Sequence, residues 1–205
     1  MNWFELAVDV IIIHGSDLPT VQALINSSIN GIVDVVETDN EIAIQHSLRD
    51  ISSLVDQIAV IQKSRMEVHD SQVFDIPVCY ELGLDWPEVT DKTGLSVDQV
   101  IALHSGVEYT TRYGFLPGFL YLAGLNEGLN CPRRSSPRKQ IHAGSIGIGG
   151  DKTGIYSLDS PGGWQIIGRT PFTLFDMRKS EPFSVPNGAK VRFKAISKQQ
   201  FDEWG

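Results

Sequence analysis

Glycine and proline are distributed unevenly along this chain, and their distribution limits the possible folds more than any other feature. Residues 1–82 hold two of the 19 glycines and two of the 10 prolines, and all the others lie beyond residue 82. Both residue types mark turns and interrupt helices. The pattern predicts a first domain of regular helices and strands, residues 1–82, followed by a turn-rich β domain, residues 83–205.

The first domain alternates strand-like and helix-like patterns. Apolar residues alternate from Phe4 to Ile12 as on one face of a strand, and "GIVDVVETDNEIAIQH" predicts a hairpin that turns at Thr38-Asp39-Asn40. Asp17 and Asp50 are expected to cap two helices, and a last strand is expected near Val73 to Tyr80. The resulting order, β-α-β-β-α-β, is that of a ferredoxin-like domain.

The second domain begins with a helix and continues with short strands. Ser96 and Gln99 form a capping box for the helix that carries His104. Seven strands are predicted after it: Val107–Tyr113, Phe119–Leu122, Ile141–Gly149, Gly154–Leu158, Trp164–Ile167, Phe172–Asp176 and Lys190–Ile196. Seven short strands and one helix favour a closed β-barrel, because closure removes exposed strand edges. The predicted fold class is therefore α+β.

Charge and composition exclude several classes of protein. The net charge of −8 and the pI near 5.0 argue against general nucleic-acid binding, which requires a basic surface. No apolar run approaches the length of a membrane span, and the opening residues Met1 to Glu5 do not have the pattern of a secretion signal. The chain has two cysteines, Cys79 and Cys131. We therefore expect a cytoplasmic protein with reduced thiols.

Positive charge is concentrated in "CPRRSSPRKQ", residues 131–140. Arg134 and Arg138 belong to a group of four cations in seven residues, and two prolines stiffen the loop. Guanidinium groups held in this way suit a carboxylate or a phosphate, whereas a solvated basic loop is the alternative. In "GFLPGFLYLAGL", Gly118 belongs either to a packed barrel corner or to a pocket wall on which a ligand lies against backbone.

Eight glycines fall between residues 144 and 168. Some of them serve turns and bulges, but Gly144-Ser145 and Gly162-Gly163 also offer backbone N–H groups of the kind that bind anions. Trp164 and Arg169 follow in the same stretch, "SPGGWQIIGRTP". The chain contains no phosphate-binding loop motif, no nucleophile elbow and no metal-ligand spacing. His104 is either a structural histidine near a helix end or a proton carrier.

Four segments together resemble one known family: "ALHSGVEY", "GFLPGFLYLAGL", "PRRSSPRKQIHAGSIGIGG" and "TGIYSLDSPGGWQIIGRTP". They are similar in order and spacing to the B subunit of 5-oxoprolinase, a family also called allophanate hydrolase subunit 1 or the KipI type. The resemblance is strong over residues 77–196. His142 stands where the family usually has proline, and the family's usual glycine after Tyr80 is absent.

The resemblance implies a small α/β domain followed by a cyclophilin-like barrel. It also implies an ATP-driven hydrolysis of 5-oxo-L-proline to L-glutamate, with Mg2+ and ATP required at the level of the complex. The partners would be a homologous-barrel subunit of the KipA type and a ring-opening subunit, and this chain alone would be inactive. Two further roles occur in the family: inhibition of a histidine kinase, and the carboxyltransferase half of a biotin-dependent urea carboxylase.

From the residues and the resemblance together we expect one anion-binding cavity in the barrel. Its expected catalytic residues are His104, Arg138 and Arg169. Its expected substrate- or phosphate-binding residues are Arg134, Gly118, Gly144, Ser145, Gly162, Gly163 and Trp164.

Overall fold

A computed structural model describes residues 2–14, 29–37, 41–64, 73–113, 119–180, 182–186 and 188–204 of the chain. The chain divides into two compact units, residues 1–70 and residues 71–205. The division lies earlier than the predicted boundary at residue 82, because the strand that begins at Val73 belongs to the second unit.

The first unit contains a four-stranded antiparallel sheet and one described helix, α1 (Ser52–Ser64). The sheet order is β1-β2-β4-β3, with β1 Asn2–Ala7, β2 Val10–His14, β3 Ile32–Glu37 and β4 Glu41–His46. Alternate residues of β4 are fully buried and pack with Leu54 and Ile58, which lie four residues apart on α1. Asp50 accepts a hydrogen bond of 2.9 Å from the Ser52 amide, so the predicted helix cap is confirmed.

The topology of the first unit differs from the predicted ferredoxin-like order in two respects. The single strand expected from Phe4 to Ile12 is a hairpin, β1 and β2, which turns at Val8-Asp9. The last predicted strand is β5 (Val73–Val78), which pairs in parallel with a strand of the second unit. The helix predicted after Asp17 and the turn at residues 38–40 lie outside the described residues.

The second unit is built around a seven-stranded sheet of order β12-β9-β10-β7-β6-β13-β5. Its strands are β5, β6 Glu108–Tyr113, β7 Leu120–Ala123, β9 Ser145–Gly149, β10 Lys152–Ile155, β12 Gln165–Arg169 and β13 Lys190–Ala195. A separate pair joins β8 (Arg138–Ile141) to β11 (Ser160–Gly162). The predicted strand at 172–176 is reduced to one bridge between Phe175 and Phe183.

The two edges of this sheet meet. Cys79, directly after β5, exchanges backbone hydrogen bonds of 2.9 and 3.0 Å with Arg169 at the end of β12. The seven strands therefore form a ring that is closed at this one residue pair, and the α+β fold class is confirmed. Three helices of the described residues accompany the ring where one was predicted: α2 (Trp86–Thr93), α3 (Val97–Ser105) and α4 (Lys198–Asp202).

The core of the second unit encloses a histidine, His104 of α3, which is fully buried. The Thr153 hydroxyl donates to the Gly147 carbonyl over 3.0 Å, so it accepts from His104 Nε2 over 2.9 Å. His104 Nδ1 is then the acceptor for the Tyr80 hydroxyl, 2.8 Å away. Both ring nitrogens are thus satisfied in the neutral imidazole, and burial lowers the pKa of His104 to about 3.

The burial of neutral His104 predicts a loss of stability in acid. Between pH 6.5, the ordinary pKa of histidine, and pH 3 the unfolded chain binds a proton at this residue and the folded chain does not. The free energy of unfolding should therefore fall with decreasing pH by up to about 1.4 kcal/mol per pH unit from this residue alone. Urea unfolding of the wild type and His104→Gln at pH 7, 6, 5 and 4 measures the difference. Parallel pH dependences would contradict the assignment.

Candidate functional site

The second unit contains a buried carboxylate, Asp85, bound by two arginines. Arg138 forms a two-pronged ion pair with it, with N–O distances of 2.6 and 2.9 Å, and Arg134 Nη1 lies 2.7 Å from Oδ1. The Ile166 amide donates to Oδ2 over 2.6 Å. The Asp85 side chain is 1% exposed, so this carboxylate depends on its four donor contacts in place of water.

Local structure places Asp85 at this position. It is the residue before α2, where the following Trp86-Pro87 start the helix. Its own amide donates to the Ile166 carbonyl over 3.0 Å, so Asp85 and Ile166 are joined through both backbone and side chain. Arg134 lies in the preceding loop and Arg138 begins β8. The cluster thus ties the basic loop to the start of α2 and to β12.

The charges of Arg134 and Arg138 are therefore satisfied within the chain. Glu88 Oε1 lies 3.7 Å from Arg134, so two carboxylates face two guanidinium groups. The hydrogen bonds to Asp85 raise the pKa of Arg138. The two arginines that the sequence assigned to anion binding are together, as expected, but the anion they bind is an acidic side chain of the same chain.

Arg169 lies at a different place, in the wall of a cavity of about 190 Å3. The cavity is also lined by Gly144, Thr170, Phe172, Thr173 and Phe201. Arg169 Nε donates to the Ala143 carbonyl over 2.9 Å, and its guanidinium carbon lies 5.9 Å from the centre of the Phe201 ring. Among the described residues, no carboxylate forms an ion pair with Arg169, and Nη1 and Nη2 have no hydrogen-bond partner. It is a cation presented to a small polar cavity.

Two of the backbone amides expected to bind an anion, those of Gly144 and Ser145, already have hydrogen-bond partners. Gly144, which has a φ of +83°, donates its N–H to the Tyr156 carbonyl over 2.7 Å. The Ser145 amide donates to the His142 carbonyl over 3.1 Å, and Ser145 itself is buried. Gly144 is required at this turn because its backbone is left-handed. Gly144 forms part of the cavity wall, and its amide makes a backbone hydrogen bond within the second unit.

The glycines around Trp164 have a packing role. Trp164 is 4% exposed and contacts the rings of Phe119 and Tyr121 edge-on. A Cβ on Gly149 would lie 2.7 Å from its indole, so a side chain there would displace the ring. Trp164 is consequently a core residue of the barrel.

Gly162 and Gly163 also serve packing and backbone pairing. A Cβ on Gly162 would overlap the Tyr156 hydroxyl, and the Gly163 carbonyl accepts from the Arg134 amide over 2.7 Å. The structure therefore brings Gly144 and Arg169 to one cavity, and Arg134 and Arg138 to Asp85. His104 lies in the core with no access to solvent. Gly118 lies outside the described residues.

Several residues at these two sites were not identified from the sequence: Asp85 and Glu88 at the ion pairs, and Thr170, Phe172, Thr173 and Phe201 at the cavity. Asp85 could have been assigned as a helix cap from Asp-Trp-Pro, but nothing local indicates its ion pairs. Phe201 is separated from Arg169 by more than thirty residues in the chain, and only the fold brings the two together.

No three described histidine, cysteine, aspartate or glutamate side chains are grouped as metal ligands would be. The described helices are all too short or too polar to cross a membrane.

The chain belongs to the family described as the carboxyltransferase domain, subdomain C and D, whose model matches residues 15–185. Within that class it is similar to the B subunit of 5-oxoprolinase from Escherichia coli O157:H7, with 49% identity over 127 residues, 60% of this chain and 58% of the relative. The Bacillus subtilis protein of the same name is 43% identical over 133 residues, 63% of this chain and 55% of the relative. The family resemblance is thereby confirmed, and the matches span little more than half of the relatives' length.

Solved structures agree with the fold. The protein TTHA0988 superimposes with a TM-score of 0.78 at 30% identity, over 92% of this chain and 40% of its own. A conserved uncharacterized protein from Pyrococcus horikoshii gives a TM-score of 0.61 at 33% identity, over 94% of this chain and 96% of its own. Urea carboxylase of Kluyveromyces lactis gives a TM-score of 0.66 at 15% identity, over 95% of this chain and 22% of its own. This similarity shows a common fold.

The buried ion pairs predict unequal effects of two aspartate substitutions. Asp85→Asn removes the charge that faces two partly buried guanidinium groups, so the free energy of unfolding should fall by about 3 kcal/mol. The matched control is Asp75→Asn, which breaks the exposed pair with Arg192 and should cost less than about 1 kcal/mol. Urea unfolding of both variants at pH 7 provides the comparison, and equal losses would show that the Asp85 cluster does not hold the barrel together.

Proposed function

We propose that the chain is the B subunit of a 5-oxoprolinase complex. The complex would hydrolyse 5-oxo-L-proline to L-glutamate with ATP, and its other members would be a homologous-barrel subunit and a ring-opening subunit. The observation that carries the proposal is the 43–49% identity to three proteins named as the B subunit of 5-oxoprolinase. The cavity at Arg169 supports it, because 5-oxo-L-proline carries a carboxylate.

Arg169 is the residue of this chain that would bind the substrate. A guanidinium with two unpaired terminal nitrogens can bind a carboxylate through two parallel hydrogen bonds. The cavity is small and polar, and Thr170 and Thr173 stand in the same wall. Arg134 and Arg138, which were expected at the site, would act only through the position of the loop that Asp85 anchors.

The cavity suits a small substrate better than a nucleotide. Its volume of about 190 Å3 is below the range of about 300–1,000 Å3 that is usual for pockets of drug-sized ligands, and the amides of Gly144 and Ser145 are already bonded. In this proposal ATP and Mg2+ bind elsewhere in the complex. This chain would supply the contact to the small substrate and have no turnover alone.

Carboxyl transfer to urea or a related amide is the second candidate. It is favoured by the name of the family, carboxyltransferase domain, and by the fold shared with a urea carboxylase. A carboxyltransferase requires a biotin-bearing partner, so the two functions differ in what co-purifies with the chain and in which substrate stimulates ATP hydrolysis.

Substitution of Arg169 tests the proposed function. In the complex assembled from the three subunits, Arg169→Ala should lower kcat/KM for 5-oxo-L-proline by at least about 100-fold, because it removes a charged donor to the substrate. Coupled assays of glutamate formation and phosphate release measure the effect, and co-purification of the subunits shows whether assembly is retained.

The matched control is Arg192→Ala, which removes an arginine from an exposed ion pair and should leave kcat/KM unchanged. Full activity of assembled Arg169→Ala would refute the site. A wild-type complex that hydrolyses ATP with urea but not with 5-oxo-L-proline, and that contains a biotinylated protein, would favour carboxyl transfer.

A further inference from the structure

We infer that Phe201, in the C-terminal helix α4, is a positioning residue for Arg169 and makes the cavity a site for a small carboxylate. The inference rests on the proposed role of Arg169. The C-terminal helix α4 thereby has a role at the cavity, to which Phe201 contributes its ring.

The guanidinium of Arg169 is fixed from three directions. The backbone of Arg169 is held in the barrel seam by its two hydrogen bonds with Cys79. Its Nε is held by the Ala143 carbonyl, and its guanidinium carbon lies 5.9 Å from the centre of the Phe201 ring. A cation over an aromatic ring is attracted by the negative face of the π system. These contacts leave Nη1 and Nη2 for a ligand.

The Ala143 carbonyl is itself held in place. The carbonyl belongs to the peptide group that joins Ala143 to Gly144, and the N–H of this group donates to the Tyr156 carbonyl over 2.7 Å. On the other side of Ala143, its own amide donates to Asp159 Oδ1 over 2.7 Å, and this hydrogen bond is the main reason why the pKa of Asp159 is lowered. The carbonyl that orients Arg169 Nε is therefore fixed on both sides, and Phe201 is the remaining contact to the guanidinium.

Local contacts explain how a helix of five residues holds Phe201 in place. Ser197 and Gln200 form a capping box at its start, with both reciprocal hydrogen bonds present. The Lys198 amide donates to Glu81 Oε1 over 3.0 Å. Because Glu81 follows Cys79 by two residues, α4 is anchored beside the seam that carries Arg169.

Charge distinguishes Arg169 from the other cation at the same ring. Lys198 Nζ also lies 5.9 Å from the centre of the Phe201 ring, but it is paired with Asp202 four residues later. Arg169 has no such partner among the described residues. The positive charge available to a ligand is therefore that of Arg169. Its planar guanidinium group can donate two parallel hydrogen bonds, an arrangement that suits a carboxylate.

The test compares two substitutions of Phe201 in the full chain. Phe201→Leu keeps an apolar side chain but removes the π face, whereas Phe201→Tyr keeps the face. In the 15N-labelled wild type, the Arg169 Nε–H resonance, assigned by its loss in Arg169→Lys, should be shifted by the ring and should move further on titration with sodium acetate. Phe201→Leu should lose the ring shift and bind acetate at least about threefold more weakly, and Phe201→Tyr should retain both.

Trp204→Leu is the matched control, since it removes an aromatic ring from a half-exposed position three residues further on and should change neither readout. The methyl spectrum of the barrel isoleucines checks that each variant is folded. If Phe201→Leu keeps the Nε–H shift and the acetate affinity of the wild type, the positioning role is refuted. An unfolded Phe201→Leu leaves Phe201→Tyr to decide, because loss of the ring shift or of acetate binding in folded Phe201→Tyr would refute the role.

Three probes separate this inference from the proposed function. Acetate, inorganic phosphate and 5-oxo-L-proline are titrated separately into the wild type. Acetate binding that depends on Phe201, together with no binding of 5-oxo-L-proline, would support the carboxylate site and count against the proposed substrate. Phosphate binding without acetate binding, or no binding of any probe, would overturn the carboxylate site itself.

Discussion

The second unit depends on one buried interaction, in which the Asp85 carboxylate joins three parts of the chain. Asp85 directly precedes α2, and its carboxylate accepts hydrogen bonds from the guanidinium groups of Arg134 and Arg138 and from the amide of Ile166 in β12. Because a buried carboxylate without partners is strongly unfavourable, each of these segments is required in its place by the others. The basic loop is therefore part of the barrel framework. The ion pairs of its arginines, together with its two prolines, hold it in one conformation.

Two groups of cations thus have different roles in the same barrel. Arg134 and Arg138 form ion pairs with Asp85, and Glu88 lies 3.7 Å from Arg134, whereas Arg169 has no carboxylate partner among the described residues and lines a cavity. The presence or absence of a carboxylate partner therefore distinguishes these arginines better than the count of positive charges does. The cations that were expected in a single cavity are divided between an ion-pair cluster and a small cavity with one arginine.

Local patterns in the sequence predicted the elements well and their partners poorly. The capping box at Ser96 and the cap at Asp50 depend on residues within one helical turn, so both are visible in the sequence. The turn at Val8-Asp9 was missed because the apolar alternation continues through it. Asp85 is 49 and 53 residues away from the two arginines that it binds, and no local pattern indicates that pairing. His104 illustrates the same limit, since its position on a helix did not reveal that both ring nitrogens are bonded within the core.

The seam between Cys79 and Arg169 has a consequence for assembly. At the seam the main-chain groups of Cys79 and Arg169 are already paired with each other, so a partner chain finds no unpaired backbone to extend there. A protein that docks at the seam must therefore recognise side chains and loops. The selectivity of such docking would then depend on the side chains around the seam, where a single substitution can change which protein binds without breaking the backbone pairing.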